Sequence, residues 1–261
     1  MSTGDVLLQG KHICKSYQQG KKSNRVLNDV HIEIYDGDFT VIMGSSGAGK
    51  STLLYCLSGM DSISDGEVLY RGEEISRYSE KQMTSLRTKE FGFVFQQTHL
   101  VSNLTLFENV AVAGYAGGGR KAKEVQDKVR ELLARMCVED AAMRFPSQVS
   151  GGEAQRAAIA RAVINRPGMV FADEPTGALN KSSSEEVLGL LSSLHRGGQG
   201  IVMVTHDVRV ALYGTRILYM EDGRIIDELV MGEYEEKDGK AASYQKEREK
   251  KITDWLSALH W

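Results

Sequence analysis

Short apolar runs and longer runs with helical spacing alternate along this chain of 261 residues. The short runs are typical of strands that are buried on both faces of a parallel sheet. They are residues 39–43, 91–95, 169–173 and 201–205. Residues 5–43 are rich in period-two alternation, which predicts half-buried strands, and residues 217–229 predict a hairpin around Asp222-Gly223.

Hydrophobic spacing becomes helical between about residues 98 and 165. Residues 121–136 predict a helix with one apolar face. That face consists of Ala122, Val125, Val129, Leu132, Leu133 and Met136. Further helices are expected at 150–165, before Pro167, and at 182–196, before Gly197-Gly198. Strands that alternate with helices predict an α/β fold.

The composition changes from about residue 231. Residues 233–240 form a polar linker, and residues 246–251 are charged. Four apolar residues then share one helical face, with Trp261 at the end. They are Ile252, Trp255, Leu256 and Leu259. The nearby cations would suit a membrane surface, but so short a segment favours packing on its own domain or on a partner.

Composition narrows the classes of function. The formal net charge is -3, so no basic field predicts a nucleic-acid partner. Cys14, Cys56 and Cys137 lack the spacing of metal ligands and fit a reducing compartment. No apolar run approaches the ~20 residues that span a bilayer, and residues 1–5 lack the apolar core of a signal peptide. Work at a membrane would therefore need a partner that holds the chain there.

One stretch matches the phosphate-binding loop pattern of Gly, any four residues, Gly-Lys and then Ser or Thr. It consists of Gly44, Ser45, Ser46, Gly47, Ala48, Gly49, Lys50, Ser51 and Thr52. A predicted strand enters it and a predicted helix at 52–57 leaves it, which a chance Gly/Ser turn would not require. The glycines let backbone N–H groups approach phosphate oxygens, and the helix offers further N–H groups. Lys50 can then reach the β- and γ-phosphates, and Ser51 can ligate Mg²⁺.

Polar residues follow three other predicted strands at their carboxyl ends, where parallel sheets bind ligands. Asp173 would meet the Mg²⁺ held by Ser51, and Glu174 could polarise a water for attack on the γ-phosphate. Gln96 could ligate Mg²⁺ or orient water, and His206 could hydrogen-bond a phosphate. The plainer interpretations are a solvated loop for the two acids, an ordinary strand end for Gln96 and a surface histidine for His206.

Ser150, Gly151, Gly152 and Glu153 open the helix predicted at 150–165. Ser150 and Glu153 have the Ser-x-x-Glu spacing of a capping box. The alternative is an anion site at the helix N-terminus, where the glycines allow close approach. A cap does not need a glycine pair, which favours the anion site.

Tyr17 lies upstream of the phosphate-binding loop, in the β-rich region. Its ring could stack on a flat base, although a tyrosine in a strand is more often simply packed. Sequence spacing alone leaves both interpretations open.

These motifs, in this order, resemble those of the nucleotide-binding subunit of an ABC transporter over about residues 6–230. The resemblance implies a P-loop NTPase fold with a mixed, mainly parallel central sheet, an antiparallel β subdomain and an inserted helical subdomain at about 98–165. It makes residues 1–230 an ABC-type nucleotide-binding domain and residues 231–261 a linker with an amphipathic helical tail. The implied cofactors are ATP and Mg²⁺, and the implied reaction is ATP hydrolysis.

The resemblance also implies roles for single residues. Tyr17 would stack on adenine, and Gln96 would sense Mg²⁺. Glu174 would be the catalytic base and His206 the switch histidine, acting with Lys50. Residues 150–153 would bind the γ-phosphate of ATP held by a second copy of the chain, so that two ATP molecules lie between two subunits.

Two positions depart from the family pattern. The family signature commonly ends Ser-Gly-Gly-Gln, whereas this chain has Glu153 in the last place. The loop that contains Ala178-Leu179 usually ends in Asp, whereas this chain has Asn180. Asn180 keeps a hydrogen-bonding side chain but loses the charge, which bears on the coupling between the two ATP sites.

Residues 93–96 and 172–179 resemble one branch of the family, the macrolide-export, lipoprotein-release and antimicrobial-peptide-resistance group. The Asp254-Trp255-Leu256 ending is most similar to the peptide-resistance members. The branch implies a separate membrane permease, a peripheral position on the cytoplasmic face of the membrane, and export of, or resistance to, an antimicrobial peptide or similar amphiphile.

Two non-transport classes are the alternatives. ABC ATPases of translation or DNA repair usually carry two heads or a long coiled-coil insertion, whereas this chain has one phosphate-binding loop and no sustained heptads. A cell-division ATPase that regulates wall hydrolysis would carry the same motifs as the transporter subunit.

Overall fold

The computed structural model describes residues 4–20, 22–234 and 241–259. Its strands are β1 (Val6–Gln19), β2 (Lys22–Tyr35), β3 (Phe39–Met43), β4 (Asp65–Tyr70), β5 (Glu73–Glu74), β6 (Phe91–Phe95), β7 (Met169–Asp173), β8 (Gly200–Thr205), β9 (Arg216–Glu221) and β10 (Arg224–Val230). Its α-helices are α1 (Lys50–Leu57), α2 (Glu80–Glu90), α3 (Leu106–Ala116), α4 (Ala122–Arg135), α5 (Gly151–Val163), α6 (Lys181–Arg196), α7 (Val208–Ala211) and α8 (Ala241–Ala258).

The chain divides into two compact units. The first unit comprises Met1–Ser79 and Gly200–Trp261, and the second unit comprises Glu80–Gln199. The first unit therefore contains the strands β1 to β5 and every element from β8 onward, together with α1. The second unit contains β6, β7 and the helices α2 to α6.

The first unit contains an antiparallel sheet and a set of mainly parallel strands. The antiparallel sheet has the order β2-β1-β4-β5. Strand β3 pairs in parallel with β8 and with β9, and β10 pairs antiparallel with β9. Every residue of β3 and of β8 is buried, which accounts for their continuous apolar sequences. Burial alternates through the second half of β2, as the period-two pattern predicts.

The second unit combines the parallel pair β6 and β7 with helices that pack on one another. Val110 of α3, Val129 of α4 and Ile159 of α5 are completely buried. A capping box starts α3, because the Thr105 hydroxyl accepts from the Glu108 N–H while the Glu108 carboxylate accepts from the Thr105 N–H. Parallel strands, an antiparallel sheet and a helical part together form the α/β fold that the sequence predicts.

Three details differ from the sequence-based expectations. Helix α1 begins at Lys50 rather than at residue 52, because Gly49 adopts a left-handed conformation and serves as its N-cap. Helix α5 ends at Val163, and the Asn165 side chain instead donates to two backbone carbonyl oxygens, those of Thr88 and Ala113. Ala122, expected on the buried face, is exposed, because it is the first residue of α4 and burial begins one turn later at Val125.

Helix α8 packs within the first unit through the apolar face that the sequence predicts. Ile252 and Leu256 are buried, and Trp255 is half-buried. The Trp255 indole N–H donates to Asp227 Oδ2 on β10 at 2.8 Å. The tail therefore docks on its own chain, one of the two favoured positions, whereas Trp261 lies outside the described residues.

A buried arginine fixes α8 to the same unit. Arg248 is 4 % exposed, and its Nε and Nη2 donate to the carbonyl oxygens of Leu212 and Gly214 at 2.9 and 2.6 Å. A buried guanidinium is tolerated when its donors are paired in this way.

The division of the chain at about residue 230 into a nucleotide-binding domain and a tail stays a prediction. Within the described ranges, no helix has the length and apolar character needed to cross a membrane.

Candidate functional site

The phosphate-binding loop of the first unit requires its glycines, because close contacts leave no room for a Cβ or the backbone adopts φ values that favour glycine. A Cβ at Gly44 would lie 2.1 Å from the Met220 carbonyl oxygen, so no larger residue fits without a shift. Gly47 and Gly49 have φ values of 85° and 99°, in the left-handed region that glycine adopts without steric cost. The Ala48 N–H donates to the Ser45 carbonyl oxygen across the turn. The loop is therefore a compact backbone structure before any side chain contributes.

Lys50 lies at the base of this loop with its side chain buried. Its Nζ donates to the carbonyl oxygens of Gly44 and Ser45, each at 2.8 Å. These contacts satisfy a buried ammonium and hold its positive charge against the loop backbone. Ser51 and Thr52 follow in the first turn of α1, where helical N–H groups have no partner within the helix. The charge and the N–H groups together suit a phosphate chain.

The turn between β9 and β10 supports the loop from the same unit. The Gly223 N–H donates to the Ala48 carbonyl oxygen at 3.0 Å, and the Gly223 carbonyl oxygen accepts from the Asn28 N–H at 2.9 Å. A Cβ at Gly223 would lie 2.2 Å from the Val26 carbonyl oxygen. The Asp222-Gly223 pair predicts the turn. That the turn supports the phosphate-binding loop could not be predicted from the sequence, because the hydrogen bond between Gly223 and Ala48 joins segments far apart in the chain.

His206 lies at the same sheet edge as the phosphate-binding loop. In the parallel pair of β3 and β8, Met43 is opposite Thr205, so the loop and His206 leave neighbouring strands at equivalent positions. His206 is exposed. Asp207, the next residue, caps α7 by accepting from the Arg209 N–H at 2.8 Å. The first unit therefore brings together two of the predicted motifs.

Tyr17 lies in β1, and the residue is 39 % exposed. Its hydroxyl donates to Asp61 Oδ2 at 2.6 Å, and the Lys15 ammonium lies 4.8 Å from its ring centroid. Burial raises the pKa of Tyr17 to about 12, and the hydrogen bond to Asp61 acts in the same direction. The hydroxyl is therefore fixed and neutral, while part of the residue is accessible. Stacking on adenine stays a prediction.

Gln96 and Asp173 lie at one edge of the parallel pair in the second unit. Phe95 is opposite Asp173 in the β6–β7 register, so Gln96 begins the loop beside the two acids. The Gln96 amide lies against Gly177, where an added Cβ would come within 2.9 Å of its Nε2. The buried Gln155 of α5 donates to the Phe95 carbonyl oxygen at 2.9 Å and so fixes the end of β6. Gln155 was not among the residues predicted from the sequence, because only the helical face that it occupies could have indicated it.

Glu174 has an unusual backbone conformation at the end of β7. Its φ is 46°, in the left-handed region that few non-glycine residues adopt. The turn that follows is closed by a hydrogen bond from the Gly177 N–H to the Glu174 carbonyl oxygen at 3.0 Å. Such conformations cost roughly 1–3 kcal/mol and cluster at functional sites. This conformation supports a special role for Glu174 over a solvated loop.

The Ser150–Glu153 segment forms the capping box that its spacing predicts. Ser150 Oγ accepts from the Glu153 N–H at 3.2 Å, and Glu153 Oε2 accepts from the Ser150 N–H at 2.8 Å. The backbone and side-chain hydrogen bonds from Ser150 lower the pKa of Glu153. An added Cβ at Gly152 would meet the Ser183 side chain, so this glycine allows α5 and α6 to pack closely. Gly151 is exposed, and a Cβ there would meet only Leu179 at an ordinary 3.5 Å, so packing does not explain it.

Asn180, one of the two departures from the family pattern, caps α6. Its side-chain oxygen accepts from the Ser183 N–H at 2.9 Å. Asn and Asp are equally good N-cap residues, so the loss of charge leaves this local role intact.

Several known proteins are similar to this chain in sequence. The family described as ABC transporter matches residues 27–177. The Macrolide export ATP-binding/permease protein MacB of Pasteurella multocida (strain Pm70) is 38% identical over 255 residues, which is 98% of this chain and 38% of that protein. The protein of the same name from Vibrio parahaemolyticus serotype O3:K6 (strain RIMD 2210633) is 41% identical over 223 residues, which is 85% of this chain and 34% of that protein. The chain therefore spans little more than a third of the length of these relatives.

Solved structures of ATP-binding cassettes have the same fold as this chain. The dimeric post-hydrolysis state of the ATP-binding cassette MJ0796, bound to ADP and Pi, matches with a TM-score of 0.81 and 35% identity over 87% of this chain and 100% of that chain. CbiO1 of Clostridium perfringens, described as part of the ABC transporter complex cbiONQ, matches with a TM-score of 0.77 and 26% identity over 98% of this chain and 97% of that chain.

Proposed function

The chain belongs to the ABC transporter family, and on this premise we propose that it binds and hydrolyses ATP to drive a membrane permease. One of its relatives, the ATP-binding cassette MJ0796, has been solved in a post-hydrolysis state bound to ADP and Pi. The proposed cargo is an antimicrobial peptide or a similar amphiphile.

The observation that carries the proposal is the phosphate-binding loop with its buried lysine. Gly44 leaves no room for a side chain, and Lys50 presents a desolvated positive charge at the base of the loop. A positive charge with oriented backbone N–H groups is the arrangement that binds a polyphosphate. Few other ligands would need this combination.

Mg²⁺ fits the donor chemistry of the three residues proposed to hold it. Ser51 offers a hydroxyl oxygen, Gln96 an amide oxygen and Asp173 a carboxylate. These are the hard oxygen ligands that Mg²⁺ prefers. When bound, the ion would neutralise charge on the phosphates.

The chemical step is assigned to Glu174 and His206. The Glu174 carboxylate would accept a proton from the water that attacks the γ-phosphorus, while the bond from the γ-phosphorus to the bridging oxygen breaks and ADP leaves. His206 would hydrogen-bond the γ-phosphate. The left-handed conformation of Glu174 supports this role, because it holds the residue in a strained conformation directly after Asp173. Lys50 would stabilise the negative charge that remains on the phosphates.

A second copy of the chain is the proposed partner in hydrolysis. Its Ser150–Glu153 segment would bind the γ-phosphate of ATP held by the first copy. Gly151 supports this role, because it is exposed at the start of a 13-residue helix and no packing within the chain requires a glycine there. MJ0796, the cassette relative, was solved as a dimer.

The second unit has an exposed apolar surface suited to a permease. Val112 and Tyr115 are one helical turn apart on α3 and are 55% and 45% exposed. Met143 and Phe145 are also exposed, and the Arg144 carbonyl oxygen between them accepts from the N–H of Leu106, the first residue of α3. Large apolar side chains that stay exposed in this unit support a protein partner.

The finer assignment rests on the branch that the chain resembles. The MacB relatives are named macrolide export proteins and ATP-binding/permease proteins. The peptide-resistance members, which have a similar Asp-Trp-Leu ending, support an amphiphilic cargo and a permease on a separate chain. Such a complex would hold this chain on the cytoplasmic face of the membrane.

Purification of the tagged protein from its native membrane tests the proposal. The expected result is Mg²⁺-dependent ATP hydrolysis that is lost in a Lys50→Ala preparation, together with a co-purifying permease with a large outer domain. Recovery with ribosomes would contradict transport and favour the translation class. Recovery with a wall hydrolase would favour the cell-division class.

A further inference from the structure

Two histidines and an aspartate from neighbouring strands lie together on the antiparallel sheet of the first unit. His12 belongs to β1, and Asp29 and His31 belong to β2. One ligand-capable atom from each of the three side chains lies within 4.8 Å of the others. None of the three has a role in the proposed ATP chemistry.

The nitrogens of both imidazoles lie near the same carboxylate oxygen. His12 Nδ1 is 2.7 Å and His31 Nε2 is 3.5 Å from Asp29 Oδ1. The two rings are close and nearly perpendicular, with centroids 4.0 Å apart and an interplanar angle of 80°. Ligands of a tetrahedral zinc ion are separated by about 3.4 Å, as follows from metal–ligand distances of about 2.1 Å. Shifts of roughly 1 Å in these side chains would reach that geometry.

Two irregularities in the strand pairing place these side chains together. Gly10 pairs with Ile32 and Ile13 pairs with Val30, so two residues of β1, one of them His12, oppose only His31. Lys15 then pairs with Leu27, so Asn28 and Asp29 of β2 oppose a single residue of β1. β-bulges of this kind redirect side chains and occur often beside functional sites.

Both bulges require unusual backbone conformations. The φ values of His12 and Asp29 are 52° and 55°, which few non-glycine residues adopt. All three side chains are exposed, with at least half of each side chain accessible to solvent. A ligand in solution can therefore reach the cluster without opening the fold.

We propose that His12, Asp29 and His31 bind a divalent transition-metal ion, with Zn²⁺ as the favoured ion. Two imidazole nitrogens and one carboxylate oxygen are a ligand set typical of zinc, and three protein ligands leave a position open for water. Mg²⁺ and Ca²⁺ require oxygen ligands, so this set discriminates against them. The bound ion would join β1 to β2 and stabilise the folded state, because the unfolded chain does not hold the three ligands together.

The test is a zinc titration of the full-length chain without a histidine tag and without nucleotide, in competition with a chromophoric chelator and with a reductant present. The variants are His12→Asn, His31→Gln and Asp29→Asn. Asparagine tolerates the left-handed conformation of positions 12 and 29, so the backbone should be retained. Asp36→Asn is the matched control, because Asp36 is an exposed aspartate in the turn that follows β2.

The expected result is one zinc site whose affinity falls about tenfold or more in each ligand variant and is unchanged in Asp36→Asn. Zinc should also raise the melting temperature of the wild-type chain, and Mg²⁺ at the same concentration should not displace it. Equal zinc affinity in the wild type and in both histidine variants would overturn the proposal and leave a hydrogen-bonded surface cluster only. Because no nucleotide is present, this outcome would not affect the proposed ATPase function.

Discussion

The two units contribute to the proposed ATPase by different structural means. In the first unit the backbone carries the features that suit a phosphate, because Gly44 has no room for a side chain and Lys50 is held by loop carbonyl oxygens. In the second unit the proposed chemistry depends on side chains at strand ends, among them Glu174, which follows β7 in a left-handed backbone conformation. We infer that the phosphate-binding loop of the first unit supplies nucleotide binding and that Glu174 of the second unit supplies the catalytic base. Substitutions at these two places should therefore have separable effects.

Lys50→Ala should have the largest effect, because it removes the positive charge from the phosphate-binding loop. We expect weaker ATP binding and a turnover lower by about 100-fold or more. Isothermal titration and a phosphate-release assay measure the two quantities. Lys22→Ala, at an exposed lysine of β2 in the same unit, should change neither. Normal ATP hydrolysis by the Lys50→Ala variant would show that this loop is not the nucleotide-binding site.

Leu256→Ala tests whether the packing of α8 is separate from nucleotide binding. Leu256 is 1% exposed, so truncation should lower the free energy of unfolding by about 2–5 kcal/mol. ATP affinity should change little, since the predicted nucleotide residues lie outside α8. Chemical denaturation measures the stability, with Ser257→Ala at an exposed neighbour as the control. Deletion of residues 240–261 should act in the same direction, and unchanged stability after deletion would contradict docking on the chain itself.

Gly44→Ala tests the claim that the loop is fixed by its backbone. The added methyl group would meet the Met220 carbonyl oxygen, and we expect a loss of about 1–3 kcal/mol in the free energy of unfolding. Gly189→Ala in α6 is the control, because a Cβ there meets nothing within 4 Å and alanine favours the helix. Equal stability of the Gly44→Ala variant and the wild type would show that the loop backbone shifts to accept a Cβ, and would contradict the claim that its backbone is fixed.

Tyr17 substitutions should have the smallest effect and decide between stacking and packing. If the ring stacks on adenine, Tyr17→Phe should keep ATP affinity, whereas Tyr17→Ala should lose about 1–3 kcal/mol of binding free energy. Titration of ATP against GTP for each variant measures this difference. If both variants bind ATP as the wild type does, the ring only packs beside Lys15 and Asp61.

Sequence patterns predicted most of the fold because burial and spacing are local properties. The run at 39–43 predicts the fully buried β3, and the spacing at 121–136 predicts α4, although exposed Ala122 shows that periodicity does not indicate where packing begins. The phosphate-binding loop was recognisable because steric limits fix its glycines. Three other features were not recognisable from the sequence. They are the contacts of Asn28 and Gly223 that support the loop, the bond from Gln155 to β6, and the cluster of His12 with His31. Each of them joins residues through strand pairing or packing, which no local pattern records.

Glu174→Gln tests the separation of binding from catalysis most directly, through ATP affinity and turnover measured on one preparation. Glutamine keeps the size of the side chain but cannot accept the proton from water. We expect ATP affinity close to that of the wild type, turnover lower by about 100- to 10,000-fold, and an ATP-bound dimer that is stable on size exclusion. Unchanged turnover, or a loss of ATP affinity as large as that of Lys50→Ala, would contradict the separation of binding from catalysis.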